Sequence, residues 1–163
     1  MSNKMQLSKN LYLSEVTKSQ TAIQKGIKNV PSKKEIENLK AIAQNVFQPI
    51  RDKFNVPIGI SSGFRSKALN AAVGGSKTSE HTQGCALDLD ADIFGGITNK
   101  EIFDFIRNNL DFNQLIWEFG DDNNPDWVHV SYQEGNNRKQ VLKAYKEKLD
   151  TGKKVTTYVY YNG

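Results

Sequence analysis

The stretch that decides the fold is SEHTQGCALDLD, Ser79–Asp90. It contains His81, one of only two histidines in the chain, followed by a glycine and a run of small and apolar residues. Gly84 allows a sharp turn from this histidine into a predicted strand. Because side chains alternate along a strand, one face carries Gly84, Ala86 and Asp88, and the other carries Cys85, Leu87 and Leu89. The small residues beside Asp88 leave room for a metal ion and a substrate.

The second histidine lies in PDWVHVSY, Pro125–Tyr132, which also has the pattern of a strand. Trp127 and His129 share one face, and the two valines of this stretch point to the opposite, core-facing side. A single histidine on a strand is more often structural than a metal ligand. Together, however, His81, Asp88 and His129 offer the two nitrogens and one carboxylate that suit a catalytic zinc site, with the fourth position left to water.

Length and composition predict a single soluble domain. The chain has 163 residues, 37% hydrophobic and 25% charged. No apolar run approaches the roughly 20 residues that span a bilayer, and residues 1–16 lack the apolar core of a secretory signal. We expect one domain over residues 1–163, with a motif-bearing core at about 11–132, in a monomer made in the cytoplasm without membrane contact.

Charge and cysteine content exclude several classes of protein. The net charge is +4, but the basic residues are scattered and are not interleaved with aromatic residues, so we expect no nucleic-acid partner. A single cysteine, Cys85, excludes an internal disulfide and a cysteine-rich zinc knuckle. Since Cys85 points away from Asp88 on the predicted strand, we interpret it as a small core residue and not as a nucleophile.

The clearest helix is predicted in NVPSKKEIENLKAIAQNVFQPIRDKF, residues 29–54. Ser32 and Glu35 have the spacing of a capping box, and apolar residues recur at helical spacing along one face. Pro49 should kink the last turn. We expect this helix to pack in the core and to carry no chemistry.

The other elements predict an α+β fold. Residues 11–26 are predicted as a helical lead-in closed by Gly26; Ser66 caps one short helix, and Thr98 or Asn99 caps another. Strands are predicted in VPIGISSGF, GCALDLD, NQLIWEF and WVHVSY. The tail is ambiguous, because residues 138–149 have helical spacing whereas residues 153–161 are strongly β-prone; we expect strands that complete the sheet. Without regular βαβ alternation, a small, mainly antiparallel sheet with helices packed on one side is favoured.

These motifs resemble a known family. The pattern S-x-H-x-x-G-x-A-x-D is matched by Ser79, His81, Gly84, Ala86 and Asp88, and a downstream W-x-H by Trp127 and His129. With SSGFRS at residues 61–66, the chain is similar to the M15 zinc peptidases over about residues 11–132. That family includes D-alanyl-D-alanine carboxypeptidases and dipeptidases and L-alanyl-D-glutamate endopeptidases. The resemblance is closest to short single-domain members from bacteria and phages, and it implies a DD-peptidase or hedgehog-like fold.

The resemblance also implies roles for individual residues. The implied zinc ligands are His81, Asp88 and His129. In the family, a carboxylate three residues before the last histidine is the general base, and Asp126 stands there. Arg65 matches an arginine that steadies the substrate and the developing oxyanion. Ser79 matches a residue near the site whose hydroxyl orients a ligand or the substrate.

The identity of the base stays open between two carboxylates. On a regular strand, Asp126 and His129 would face opposite sides, so Asp126 reaches the metal only from an irregular segment before the strand. Glu118 is the rival, because a neighbouring strand could bring it next to His129. We prefer Asp126 at this point. Gln114 and Asp90 are candidates to contact the histidines and fix their tautomers, and Gln114 is also a candidate to bind the substrate.

The implied function is a zinc-dependent metallopeptidase that hydrolyses peptidoglycan stem peptides next to a D-amino acid. Water activated by the metal attacks the peptide, and the carboxylate base moves the proton. A phage endolysin, made in the cytoplasm and acting on the cell wall after release, fits such a short chain. Two alternatives are a zinc-stabilised protein that binds wall peptides or serves in a virion without cutting, and a cytoplasmic dipeptidase for free D-Ala-D-Ala.

Overall fold

The first third of the fold is a small hairpin followed by helices. The computed structural model describes residues 4–163. The hairpin consists of β1 (Gln6–Ser8) and β2 (Leu11–Tyr12), and the helices are α1 (Leu13–Thr17), α2 (Gln20–Lys25), α3 (Lys33–Ile42) and α4 (Gln48–Phe54). The predicted lead-in is therefore two short helices, and Gly26 ends the second in a left-handed conformation.

The long predicted helix is interrupted by a π-helical turn. Its start is as predicted, because the Ser32 hydroxyl accepts from the Glu35 backbone N–H and the Glu35 carboxylate accepts from the Ser32 N–H. A π-helical segment, Ala43–Phe47, then joins α3 to α4. Pro49 has no N–H to donate to the carbonyl four residues earlier, so the irregularity falls in the turn before the proline.

The rest of the chain supplies the main sheet and two further helices. These elements are β3 (Gly59–Ser62), α5 (Lys67–Ala72), β4 (Ala86–Asp90), α6 (Asn99–Asn109), β5 (Gln114–Glu118), β6 (Trp127–Ser131), β7 (Gln140–Lys148) and β8 (Lys154–Tyr160). Short 3-10 turns lie at Glu80–Gln83 and Ala91–Ile93. Ser66 and Thr98 cap α5 and α6 through their hydroxyls, as their positions in the sequence indicate.

The main sheet has six strands in the order β3-β4-β6-β5-β7-β8. Every neighbouring pair is antiparallel except β5 and β7, which run parallel. The prediction of an α+β fold with a small, mainly antiparallel sheet is therefore confirmed. The two strands after residue 132 lengthen the sheet beyond β5, so the ambiguous tail is β structure throughout.

The hydrophobic core lies on one face of this sheet, between the strands and the helices. The strand residues buried there are Leu87, Leu89, Leu115, Trp117, Val128 and Val130. Helix α6 packs against β5 and β6 through Ile102, Phe103 and Ile106. The opposite face carries the polar side chains of the same strands, as strand alternation requires. Neither α6 nor any other helix between residues 4 and 163 has the length and apolarity that a bilayer-spanning segment requires.

The C-terminal hairpin, β7 and β8, is anchored to the core by the residue that follows it. The ring of Tyr161 stacks on Trp117 with centroids 5.6 Å apart and meets Phe103 edge-on at 4.8 Å. Its backbone N–H also donates to the Val141 carbonyl at 3.0 Å. These contacts anchor the hairpin on the core-facing side of the sheet. The opposite face of the hairpin extends the polar face of the sheet.

Candidate metal centre and active site

His81 is placed by a short turn with three local supports. The Ser79 hydroxyl accepts from the His81 backbone N–H and caps the turn. Gly84 ends it at φ +73°, where a Cβ would lie 2.6 Å from the Glu35 carbonyl oxygen, so only glycine fits without a shift. The His81 ring Nδ1 lies 2.7 Å from the Gly63 carbonyl oxygen. A carbonyl can only accept, so Nδ1 donates, and Nε2 of the neutral ring is free for a metal.

The two histidine stretches meet on adjacent strands. Asp88 on β4 is the register partner of His129 on β6, and Asp88 Oδ1 lies 3.0 Å from His129 Nδ1. The same Asp88 oxygen is 3.3 Å from His81 Nε2. The rings of His81 and His129 are in edge contact, with centroids 5.2 Å apart.

The cluster His81–Asp88–His129 has the donor set of a catalytic zinc site. One donor atom from each residue lies within 4.8 Å of the others, and the three side chains are buried, at 3%, 8% and 9% exposure. Ligands about 2.0–2.2 Å from a tetrahedral zinc lie roughly 3.3 Å from one another. The 3.0 and 3.3 Å spacings around Asp88 match that requirement. The residues present therefore fit zinc, with no fourth protein ligand among them.

The electrostatics of the cluster favour an ionised Asp88. Burial by itself raises the pKa of this carboxyl, but His81 and His129 outweigh burial and hold it well below its usual range. Burial likewise acts to lower the pKa of His129, but the hydrogen bond and charge of Asp88 raise it above the usual histidine value. The cluster is thus a strongly coupled charge site, which a cation can enter by displacing protons from the rings.

Arg65 lies against the cluster and is held in a fixed orientation. Its Nε donates to the Ser62 hydroxyl at 3.2 Å, and one terminal nitrogen donates to Asn70 Oδ1 at 3.0 Å. The other terminal nitrogen is 3.7 Å from Asp88 Oδ2. Arg65 lies in the short connection between β3 and α5, so the strand and the helix together aim its guanidinium at the site.

Glu118 is a buried carboxylate on the same face of the sheet as the cluster. It pairs with Trp127 on β6, two positions along from the pair formed by Ile116 and His129 and so on the same face. Glu118 is only 7% exposed. Burial raises its pKa to about 7; His129 and Lys146 act to lower it, and Asp88 adds to the rise. A carboxyl with a pKa near neutrality, beside a metal cluster, is suited to accept and return a proton.

Asp126 lies outside the cavity that the cluster lines. Its side chain is exposed and borders a neighbouring cavity, together with Phe119 and Lys143. Its backbone is held by two bonds, from its own N–H to the Glu118 carbonyl and from the Asn99 amide to its carbonyl. On this geometry the order of the two candidate bases reverses, and we prefer Glu118 to Asp126.

The remaining candidates from the sequence, Ser79, Gln114 and Asp90, do not all lie in the cavity of the cluster. Ser79 and Gln114 line the cavity of the cluster, and the Gln114 amide donates to Gln140. Asp90 accepts from the Asn99 amide. Neither Gln114 nor Asp90 makes the contact that orients a histidine ring; the Gly63 carbonyl orients His81, and Asp88 itself faces His129. A backbone carbonyl carries no signal in the sequence, which is why this contact was missed.

A second polar group in the cavity was also absent from the sequence prediction. The Glu80 carboxylate accepts from the side-chain amides of Asn113 and Gln133 at 2.9 and 2.8 Å. Arg138 in turn donates to Asn113 at 3.0 Å. These residues are distant in sequence, and only the folded chain brings them to the cavity wall.

Comparison with known proteins agrees with this site. The model of a family described as Peptidase M15 matches residues 9–131, three quarters of the chain. That span contains the His81–Asp88–His129 cluster, Arg65 and Glu118. A search of curated proteins finds no match. The chain therefore belongs to the peptidase M15 family.

Proposed function

We propose that this protein is a zinc-dependent peptidase that hydrolyses peptidoglycan stem peptides next to a D-amino acid. The observation that carries the proposal is that Glu118, a buried carboxylate, lines the same cavity as the His81–Asp88–His129 cluster. Two histidines, one aspartate and a nearby base are the parts that a single-metal hydrolase needs. Membership of the peptidase M15 family supports the choice of a peptide bond over other substrates.

In the proposed mechanism the ligands are His81, Asp88 and His129. These residues would hold a zinc ion, which would supply Lewis-acid polarisation of the peptide carbonyl and a lowered pKa of water. Glu118 accepts the proton of the attacking water and delivers it to the amine that leaves. Arg65 donates to the carbonyl oxygen as its negative charge develops. Gly63 holds the His81 ring through its carbonyl, so that Nε2 keeps facing the cluster.

The shape of the site favours a polymer-borne peptide over a free dipeptide. The cavity is open to solvent and has a volume of about 1020 Å³, at the upper end of the roughly 300–1,000 Å³ typical of ligand sites. An extended peptide with several residues on each side of the scissile bond can lie in such a cavity. We therefore favour the stem peptide of the intact wall over free D-Ala-D-Ala. The endolysin role stays a prediction. It is tested by measuring lysis when the protein is added to bacterial cells and when it is produced inside them.

The decisive experiment measures bound metal and peptide hydrolysis on one preparation. We expect about one zinc per chain and release of new amines from purified peptidoglycan. His129→Ala should lose both. If zinc binds and only free D-Ala-D-Ala is cut, the protein is a dipeptidase; if neither the dipeptide nor any stem peptide is cut, the hydrolase proposal fails and the wall-binding alternative is favoured. If no metal binds and His129→Ala behaves as the parent protein, the cluster has no metal function.

A further inference from the structure

The C-terminal hairpin supplies one wall of the active-site cavity. Strands β7 and β8 lie beyond residue 131, where the match to the family ends. Five of the residues that line the cavity nevertheless come from this hairpin: Gln140, Leu142, Lys146, Thr156 and Tyr158. All five have even numbers, which reflects the alternation of side chains along a strand.

The strand register explains why these residues face the metal cluster. In the parallel pair of β5 and β7, Glu118 lies opposite Ala144. In the antiparallel pair of β7 and β8, Ala144 lies opposite Tyr158, and Lys146 opposite Thr156. Each step across the sheet keeps the side chains on one face, so the face that carries the cluster continues onto the hairpin.

Lys146 is the cation of this wall. Its charge acts on the nearby Glu118 carboxyl, but it forms no salt bridge with an acidic residue in the described structure. Its ammonium donates to the Thr156 hydroxyl at 2.8 Å and lies 5.1 Å from the centroid of the Phe119 ring. None of the salt bridges found between residues 4 and 163 includes Lys146. An ammonium has three donors, and only one is used by Thr156. Two N–H donors of Lys146 therefore remain for a ligand.

Arg65 and Lys146, which lie on either side of the cluster, are not equivalent. Arg65 follows β3 at one edge of the sheet and is committed to Ser62, Asn70 and Asp88. Lys146 lies on β7, on the opposite side of the cluster. A peptide that crosses the metal cluster therefore runs from a fixed guanidinium to an ammonium that still has donors to offer.

We propose that the β7–β8 hairpin forms a substrate subsite in which Lys146 binds a carboxylate of the peptide. This inference rests on the proposed function. It specifies the preferred substrates of that function: acidic peptides with a free carboxylate away from the scissile bond. Tyr158 borders the subsite; burial and the charges of Glu118 and Asp88 raise the pKa of its hydroxyl, which stays a neutral hydrogen-bonding group. Lys146 is thus a specificity residue supplied by a segment outside the family match.

The test uses two soluble stem peptides that differ only in whether their side carboxylates are free or amidated. Kinetics are measured at pH 8 for the native protein, Lys146→Ala, Lys146→Arg and Lys148→Ala. Lys148 is the matched control, because it lies two residues further on the same strand and face but does not line the cavity. For the free-carboxylate peptide, we expect Lys146→Ala to raise KM about fivefold with kcat within twofold. Lys146→Arg should restore most of the loss.

The amidated peptide makes the test specific. On the amidated peptide, the native protein should have a KM as high as that of Lys146→Ala on the free-carboxylate peptide. Lys146→Ala should not raise the KM for the amidated peptide any further. If Lys146→Ala and Lys148→Ala behave alike on both peptides, the subsite does not exist. If the native protein cuts neither peptide, the proposed function fails. Equilibrium binding of the same peptides by calorimetry then decides the subsite separately: it stands if the native protein prefers the free-carboxylate peptide and Lys146→Ala does not.

Discussion

Asp88 and His129 are register partners on neighbouring antiparallel strands, with Asp88 Oδ1 3.0 Å from His129 Nδ1. The contact joins two motifs that lie 41 residues apart in the chain. His81 completes the cluster from a turn that precedes the same strand as Asp88. Because two of the three proposed ligands stand on paired strands, the hydrogen bonds of the sheet hold the cluster in shape without a metal.

Replacement of Glu118 should stop hydrolysis without loss of the metal. Glu118→Gln keeps the shape of the side chain but cannot accept a proton, so we expect kcat to fall by about 10²–10⁴-fold. The matched change, Asp126→Asn, should leave kcat within about threefold, since Asp126 is exposed and borders another cavity. Amine release and zinc content measured on each variant check both expectations. Full activity in Glu118→Gln with loss in Asp126→Asn would return the role of base to Asp126.

Zinc should stabilise the fold through the His81–Asp88–His129 cluster. A ligand at 100 times its Kd adds about 2.7 kcal/mol to the free energy of unfolding, which for a chain of this size raises Tm by roughly 5–10 °C. Chelation should reverse the rise, and His129→Ala should abolish it. Cys85→Ala should keep the rise, because this buried thiol is not part of the cluster. Thermal unfolding with and without zinc measures each shift.

Glu118 should make the metal-free protein less stable as pH rises. Its pKa is raised to about 7 from an ordinary 4.5, so the folded protein binds the proton more tightly than the unfolded chain. The contribution of Glu118 to stability is complete below about pH 4.5 and is lost as pH rises through 7. Glu118→Gln has no titrating group at this position, so its stability relative to the native protein should increase by about 3 kcal/mol between pH 4 and pH 8.

Urea denaturation of both proteins in chelator, at several pH values, measures this difference. Glu37→Gln, on the exposed side of α3, is the control for loss of a carboxylate and should show no comparable slope. A difference between Glu118→Gln and the native protein that stays constant with pH would show that Glu118 is not the titrating group.

Arg65 should contribute to the transition state and not to metal binding. Its guanidinium is held by Ser62 and Asn70 beside Asp88, a forked geometry that lysine cannot reproduce. We expect Arg65→Lys to lower kcat/KM by about 10²–10³-fold while zinc content and Tm stay close to those of the native protein. If activity changes by less than threefold, the arginine only supports the loop after β3.

The turn that presents His81 should depend on Gly84. Alanine there would adopt φ +73° and bring its Cβ within 2.6 Å of the Glu35 carbonyl, so we expect a loss of about 2–3 kcal/mol in stability. Gly26→Ala is the matched control: its φ is +64°, but nothing lies within 4 Å of the added carbon, and it should cost only about 1 kcal/mol. Denaturant unfolding compares the two, and equal losses would show that the contact with Glu35 is unimportant.

Local patterns in the sequence were sufficient for much of the fold. The Ser32 and Glu35 capping box, the caps at Ser66 and Thr98, and the alternation around Asp88 each depend on residues within a few positions of one another. Pro49 indicated an irregularity in the long helix but not its π-helical form, and the β structure of the tail was not determined locally. In the tail, helical spacing and β propensity conflict, and the pairing of β7 with β5 decides between them.

The sequence by itself determined the chemistry available to this protein: two histidines, one aspartate between small residues, an arginine after a strand, and two carboxylates that compete for one role. Only the tertiary structure decided how they combine. A strand's alternation assigns each side chain to a face, but the order and register of the strands determine which faces become one surface. That pairing puts Glu118 in the cavity of the cluster and leaves Asp126 outside it. It also extends the same surface to Lys146, because β7 continues the sheet next to β5.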